Sequence, residues 1–145
     1  MAAIHKIGLL LVRDGRILLC RKRQGARLIL PGGKPEAGEA PLACLERELR
    51  EELGEVALSG ATFLGSYVAP AAGEAAGVEV RVDLYTGELH GTPRPMSEID
   101  ELVWFEEGDD WRRLAPSIAL EILPDLIRRG ILPWSTNDQT SSPDR

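Results

Sequence analysis

Seven of the chain's 23 acidic residues, Glu36, Glu39, Glu46, Glu48, Glu51, Glu52 and Glu55, fall between positions 36 and 55. Clustered carboxylates repel and raise one another's pKa values unless a cation neutralises them, and hard oxygen donors in such a group suit Mg²⁺ or Mn²⁺ rather than zinc. At ~100° per residue, Glu48, Glu51 and Glu52 project from a helix within an arc of roughly 100°. That arc borders an apolar stripe of Leu42, Leu45, Leu49 and Leu53. Carboxylates at the rim between core and solvent can hold a metal ion and accept a proton from water, which is the chemistry of metal-assisted hydrolysis. A solvated acidic helix face, paired with Arg47 and Arg50 at helical spacing, is the competing reading of the same residues.

The spacing decides between them. Gly33-Lys34-Pro35-Glu36-Ala37-Gly38-Glu39, seven further residues, then Arg47-Glu48-Leu49-Arg50-Glu51-Glu52-Leu53-Gly54 resembles the Nudix box, G-x5-E-x7-R-E-U-x-E-E-x-G-U with U apolar. Eight of nine specified positions match; the last carries Glu55, with Val56 following. Chance coincidence of the seven charged and glycine identities at a given start is on the order of 10⁻⁹. The resemblance implies the Nudix fold, an α/β (α+β) arrangement with a mixed β-sheet flanked by helices in an α-β-α sandwich. It also implies that Glu48, Glu51 and Glu52 are metal ligands, joined by the Gly33 carbonyl, and that Arg47 orients a neighbouring carboxylate. Glu39 would stabilise the loop or an outer-shell contact. The implied activity is metal-dependent cleavage of a pyrophosphate bond in a nucleoside diphosphate derivative. A nucleoside triphosphate yielding monophosphate and pyrophosphate leads; ADP-ribose, nucleotide sugars and dinucleoside polyphosphates are rivals. A nucleotide-binding regulator without turnover would lack a carboxylate or the arginine of the box, and none is missing.

Other charged positions admit two readings each. Lys34 can meet a phosphate oxygen or stand as an exposed loop lysine. Arg21, Lys22 and Arg23 can attract phosphates, with Arg21 and Arg23 as substrate-binding candidates, or form a solvated basic turn. Glu98, Asp100 and Glu101 precede Trp104; Glu98 and Glu101 are candidates for a distal ligand or general base, against a charged turn entering a strand. Glu48 is the candidate base within the box. Phe63, Tyr67, Tyr85 and Trp104 are stacking candidates whose competing role is core packing. Trp111 and Trp134 read as packing residues, Cys20 and Cys44 as small buried groups, and His5 and His90 show no partners.

The elements that must position these residues follow from pattern. Lys6 to Val12 and Arg16 to Arg21 are β-prone runs joined by Asp14-Gly15, a tight-hairpin signal. Leu28-Ile29-Leu30 reads as a strand ended by Pro31-Gly32-Gly33, since proline lacks a donor and glycine favours unusual angles. Pro41 to Leu53 is a helix with Pro41 in its first turn and Gly54 as its stop. Ala61 to Val68, Val78 to Tyr85 and Leu102 to Phe105 read as strands, with Pro70 to Gly77 a mobile loop. Pro116 to Arg129 reads as a closing helix kinked or divided by Pro124.

A length of 145 residues with 43% apolar content fits one core, expected over residues 1–134, with a polar disordered tail from Ser135 to Arg145. The formal charge of −6 argues against a nucleic-acid polymer as partner but leaves small phosphorylated ligands, whose charge a metal can bridge to carboxylates. Two cysteines are too few for a disulfide scaffold and fit a cytoplasmic setting. The early apolar stretch Gly8 to Val12 is too short for a signal-peptide core or a membrane span. A homodimer is a further expectation, with an exposed edge strand as one route to pairing.

Overall fold

A computed structural model describes residues 3–71 and 76–135 of the chain. The tail expected to be disordered, apart from Ser135, and the centre of the Pro70 to Gly77 loop lie outside the described residues.

Strand β1 (Ala3–Leu10) runs parallel to β6 (Glu79–His90) and antiparallel to the short β4 (Gly32–Gly33). Antiparallel pairing of β6 with β5 (Ala57–Pro70) completes a mixed sheet in the order β4-β1-β6-β5. A second, antiparallel sheet orders β2 (Val12–Arg13), β3 (Arg16–Lys22) and β7 (Ile99–Phe105) as β2-β3-β7. The hairpin expected at Asp14-Gly15 is present, with φ of 52° and 75° at the two residues, the double positive φ of a type I′ turn. Its first strand is not one run, however: the chain leaves the first sheet at Leu10 and enters the second at Val12. Leu28-Ile29-Leu30 contributes only isolated bridges, Cys20 to Ile29 and Leu28 to Leu114. The two glycines expected to end a strand instead pair with Gly8 and Ile7. A side chain at Gly32 would lie 2.0 Å from the Ile7 carbonyl oxygen, so only glycine permits this approach.

Helix α1 (Pro41–Leu53) begins and ends at the signals expected, with Pro41 in the first turn and Gly54 at a φ of 90°. Its last carbonyls do not remain orphaned: Leu53 and Glu52 accept hydrogen bonds from the Arg94 and Met96 amides at 2.9 and 3.0 Å. Leu45, Leu49 and Leu53 are buried, but Leu42 is exposed and Cys44 takes the inner position of the first turn. Where the box departs from its pattern, Glu55 is exposed and the next residue, Val56, is buried in its place. Ile7, Leu9, Leu18 and Cys20 pack under α1. Leu10, Leu19, Val82 and Phe105 pack under the closing helices. The sheets therefore lie between helical layers, the α-β-α arrangement expected. Pro124 divides the closing segment into a π-helix, Ser117–Ile122, and α2, Leu123–Arg128. Proline has no N–H to return to the fourth preceding carbonyl, and the wider turn bonds the Leu123 amide to the Ile118 carbonyl. Among the described residues no helix is long and apolar enough to cross a membrane.

The close approach at Gly32 has a measurable consequence. Gly32→Ala should destabilise the protein by about 2–4 kcal/mol in urea unfolding, through collision with Ile7 and a φ of 139°. Gly15→Ala, at a turn with open space, should cost only about 1 kcal/mol; equal losses would show that the β1–β4 contact does not carry the difference.

Candidate active site

The loop between β4 and α1 has little regular structure, and one side chain ties it down. Arg47 donates through Nε and Nη2 to the two oxygens of Glu39 at 2.8 and 2.9 Å, a bidentate fork. Its Nη2 also reaches the Lys34 carbonyl at 3.1 Å, while Nη1 donates to Glu48 Oε2 at 3.0 Å and lies 3.3 Å from Glu51 Oε2. Glu39 additionally accepts the Glu36 amide at 2.9 Å. The Arg47 hydrogen bonds, helped by that amide, hold the Glu39 carboxyl down at a pKa of about 2.

Glu52 is in the opposite condition. It is 5% exposed, and its Oε1 accepts the Gly32 amide at 3.0 Å. Burial pushes its pKa up to about 7, with the Glu48 charge adding to the rise and the Gly32 amide and Lys22 opposing it. Burial also raises Glu48, against the pull of Arg47. A Cβ added at Gly33 would stand 2.3 Å from the Glu48 carboxyl carbon, so the missing side chain of Gly33 is the space in which Glu48 sits.

Glu48, Glu52, Gly33, Lys34 and Glu98 all line one cleft of about 500 Å³. Glu51 is brought to Arg47 rather than into this lining and is half exposed. Arg21 and Arg23 also lie outside it: Arg21 pairs with Asp100 at 3.1 Å and Glu101 at 3.0 Å, and Arg23 donates to the Ser97 carbonyl at 3.1 Å. The basic residue of that run which does line the cleft is Lys22, 3.6 Å from Glu98. The ladder with β7 shifts register between Arg21 and Lys22, and Arg23 already lies in the turn beyond β3. None of Phe63, Tyr67, Tyr85 and Trp104 lines the cleft. Tyr67 donates to Asp125 at 2.6 Å, Phe63 meets Tyr85 edge-on at 5.3 Å, and Arg13 lies over Trp104. Trp111, Trp134, Cys20 and Cys44 are buried, and burial raises the Cys44 thiol to about 11, which suits packing rather than nucleophilic use. The two histidines do have partners, which only the sheet register brings near: His5 lies 2.7 Å from Asp83 and His90 2.7 Å from Ser59.

Among the described residues no three His, Cys, Asp or Glu side chains already stand together as a metal cage, and Arg47 engages Glu51 and one oxygen of Glu48. The donor chemistry nonetheless fits a hard divalent cation. Two partly desolvated carboxylates face the cleft beside a glycine whose absent side chain leaves their space open.

Comparison with known proteins agrees with this geometry. A family model described as NUDIX domain matches residues 5–126. A CTP pyrophosphohydrolase of Escherichia coli (strain K12) is 34% identical over 109 residues, covering 72% of this chain and 76% of that protein. An 8-oxo-dGTP diphosphatase of Haemophilus influenzae is 43% identical over 53 residues, covering 34% of this chain and 39% of that protein. The crystal structure of a MutT NUDIX hydrolase from Burkholderia pseudomallei superimposes with a TM-score of 0.70 at 31% identity, over 85% of this chain and 99% of that one. With the NUDIX match running from residue 5 to residue 126 and including the whole box, the chain belongs to the Nudix hydrolase family and is an enzyme of its pyrophosphohydrolase type.

Proposed function

We propose that the protein hydrolyses a nucleoside triphosphate to the monophosphate and pyrophosphate, with Mg²⁺ or Mn²⁺ required. The observation that carries this reading is the chemical division of a single cleft. Its lining from α1 and the Gly33-Lys34 segment is ionic, while Ile4, Leu30, Val80, Val82 and Ile118 supply aliphatic side chains, with Lys6 and Arg27 also bordering the cleft. A phosphate chain and a base have those two characters. The relatives named for CTP and 8-oxo-dGTP support a triphosphate over ADP-ribose, nucleotide sugars or dinucleoside polyphosphates.

Glu48, Glu51, Glu52 and the Gly33 carbonyl are the groups that would hold the cation, with Glu51 exchanging its contact with Arg47. When bound, the cation neutralises phosphate oxygens and makes a coordinated water more acidic. Lys22 and Lys34 lie along the cleft where they can bind phosphate oxygens. Water attacks phosphorus, the anhydride P–O bond breaks, pyrophosphate leaves, and a carboxylate takes the water's proton. Glu48 is proposed as that acceptor, because its Oε1 stands outside the Arg47 contact and beside Gly33. Glu98, which lines the cleft, is the proposed distal group, whereas Glu101 is engaged by Arg21. β5, at the end of its sheet, is the edge through which two copies would pair; a monomeric mass at micromolar concentration counts against a homodimer.

The test is a metal-dependent assay across triphosphates, ADP-ribose, nucleotide sugars and dinucleoside polyphosphates. Triphosphates should be preferred, and Glu52→Gln should keep the fold but lose activity by about a hundredfold or more, as expected for a charge removed from a metal site. Near-wild-type turnover by Glu52→Gln would sink the ligand assignment, and binding without hydrolysis would point to a regulator. Gly33→Ala, which displaces Glu48, should likewise reduce turnover, and normal turnover would show that Glu48 need not sit there.

Stability should also depend on pH in a defined direction. Glu52 is raised from 4.5 to about 7 on folding, so the native state holds a proton that the unfolded chain releases between those values. Stability of the metal-free protein should therefore fall as pH rises from about 4.5 to 7, through this group by an amount on the order of 3 kcal/mol at most. Glu52→Gln should flatten that part of the profile in urea titrations; an unchanged slope would mean that Glu52 is not held protonated.

A further inference from the structure

Lys22 lines the cleft together with Glu48, Glu52 and Glu98, and its Nζ lies 3.6 Å from Glu98 Oε1. The backbone on both sides of this ion pair is tied down. The Glu98 carbonyl accepts the Arg23 amide at 2.7 Å and the Ser97 carbonyl accepts Arg23 Nη2 at 3.1 Å, which fixes the loop before β7 to the end of β3. Just before them, the Met96 amide donates to the Glu52 carbonyl at 3.0 Å and fixes the same loop to α1. The Lys22 carbonyl accepts the Gly25 amide at 2.8 Å, which closes the turn after the lysine. The side chains themselves are partly open to water, at 41% for Lys22 and 60% for Glu98, so the pair is a weak bond between fixed anchors. A lysine ammonium on a flexible four-carbon stem can leave such a partner without moving the backbone.

The charge of Lys22 also reaches α1. Burial raises the pKa values of Glu48 and Glu52, and Lys22 works against that rise in both. One ammonium thus serves three carboxylates supplied by two elements, α1 and the loop before β7. A divalent ion among the same carboxylates would meet that ammonium as a like charge.

We infer that Lys22 is an internal counter-ion that competes with the divalent cation for the Glu48, Glu52 and Glu98 carboxylates and so sets how tightly the protein binds metal. The inference rests on the reading of Glu48 and Glu52 as metal ligands, and it concerns the protein without nucleotide. Lys22 therefore weakens metal binding, although it lies beside the carboxylates that would hold the ion.

The experiment measures Mn²⁺ binding by electron paramagnetic resonance with no nucleotide present. It is run at about pH 8, above the Glu52 pKa of about 7, where that carboxylate is ionised. Lys22→Met keeps the aliphatic stem and removes the charge. It should bind Mn²⁺ about three- to tenfold more tightly than wild type, the effect of removing one charge several ångströms from a divalent ion in a water-exposed cleft. Lys22→Arg, which keeps the charge, should bind as wild type does. Added salt should narrow the gap between Lys22→Met and wild type, because exposed charges are screened. A merely structural role predicts the opposite sign, since a loosened loop or helix end weakens a metal site. Binding by Lys22→Met equal to or weaker than wild type overturns the inference and leaves the ligand assignment standing, as does a gain of the same size in Lys22→Arg. No Mn²⁺ binding at millimolar concentration by wild type and Lys22→Met alike overturns the ligand assignment and the inference together.

Discussion

The arrangement of this protein's candidate active site depends on a single guanidinium. Arg47 joins an irregular loop to the helix that follows it, contacting Glu39, Glu48, Glu51 and the Lys34 carbonyl together. Neither partner alone would hold the geometry: a loop of this length has many conformations, and α1 has no side chain capping its N-terminus. The fork to Glu39 removes much of that freedom, since a planar guanidinium meets a carboxylate in one orientation. With the loop held, Gly33 stays against Glu48 and Gly32 stays against β1. The ionic part of the cleft is thus built before any ligand arrives, and the acidic helix face is assembled around an internal cation rather than left to solvent.

That construction carries an energetic conflict. Glu52 is buried with a single backbone donor, and its ionised form is disfavoured strongly enough to bring its pKa near neutrality. A carboxylate in such a place weakens the folded state above its unfolded pKa unless a cation is present. Folding stability and the proposed hydrolytic chemistry therefore make opposite demands on one residue. The close glycine contacts, the amides that complete the end of α1, and the apolar layers on both sides of the sheets supply the stability that this residue does not.

The cleft itself arises from a change of sheet. β1 and β2 are almost continuous in the chain, yet they belong to different sheets. Residues from β1, β3, β6, α1 and the segment 115–118 consequently border one cavity. Its charged and aliphatic lining is drawn from elements spread along the chain, from Ile4 to Ile118.

Much of the box could be read from the sequence because its information is local. Helical spacing puts Glu48, Glu51 and Glu52 near one another on any helix, Pro41 and Gly54 mark where that helix begins and ends, and outside the box Asp14-Gly15 marks the β2–β3 hairpin turn. The strand register, the partners of His5 and His90, and the exposure of Leu42 at the start of its stripe are not local in this sense. Helical spacing also could not say that Arg47 would draw Glu51 away from the two carboxylates facing the cleft. The sequence by itself determined the elements and the chemical type of the site, because turns, caps and helix faces depend on neighbours a few residues away. Only tertiary structure decided which charges face the cleft, because burial and pairing depend on strands and loops brought together from across the chain.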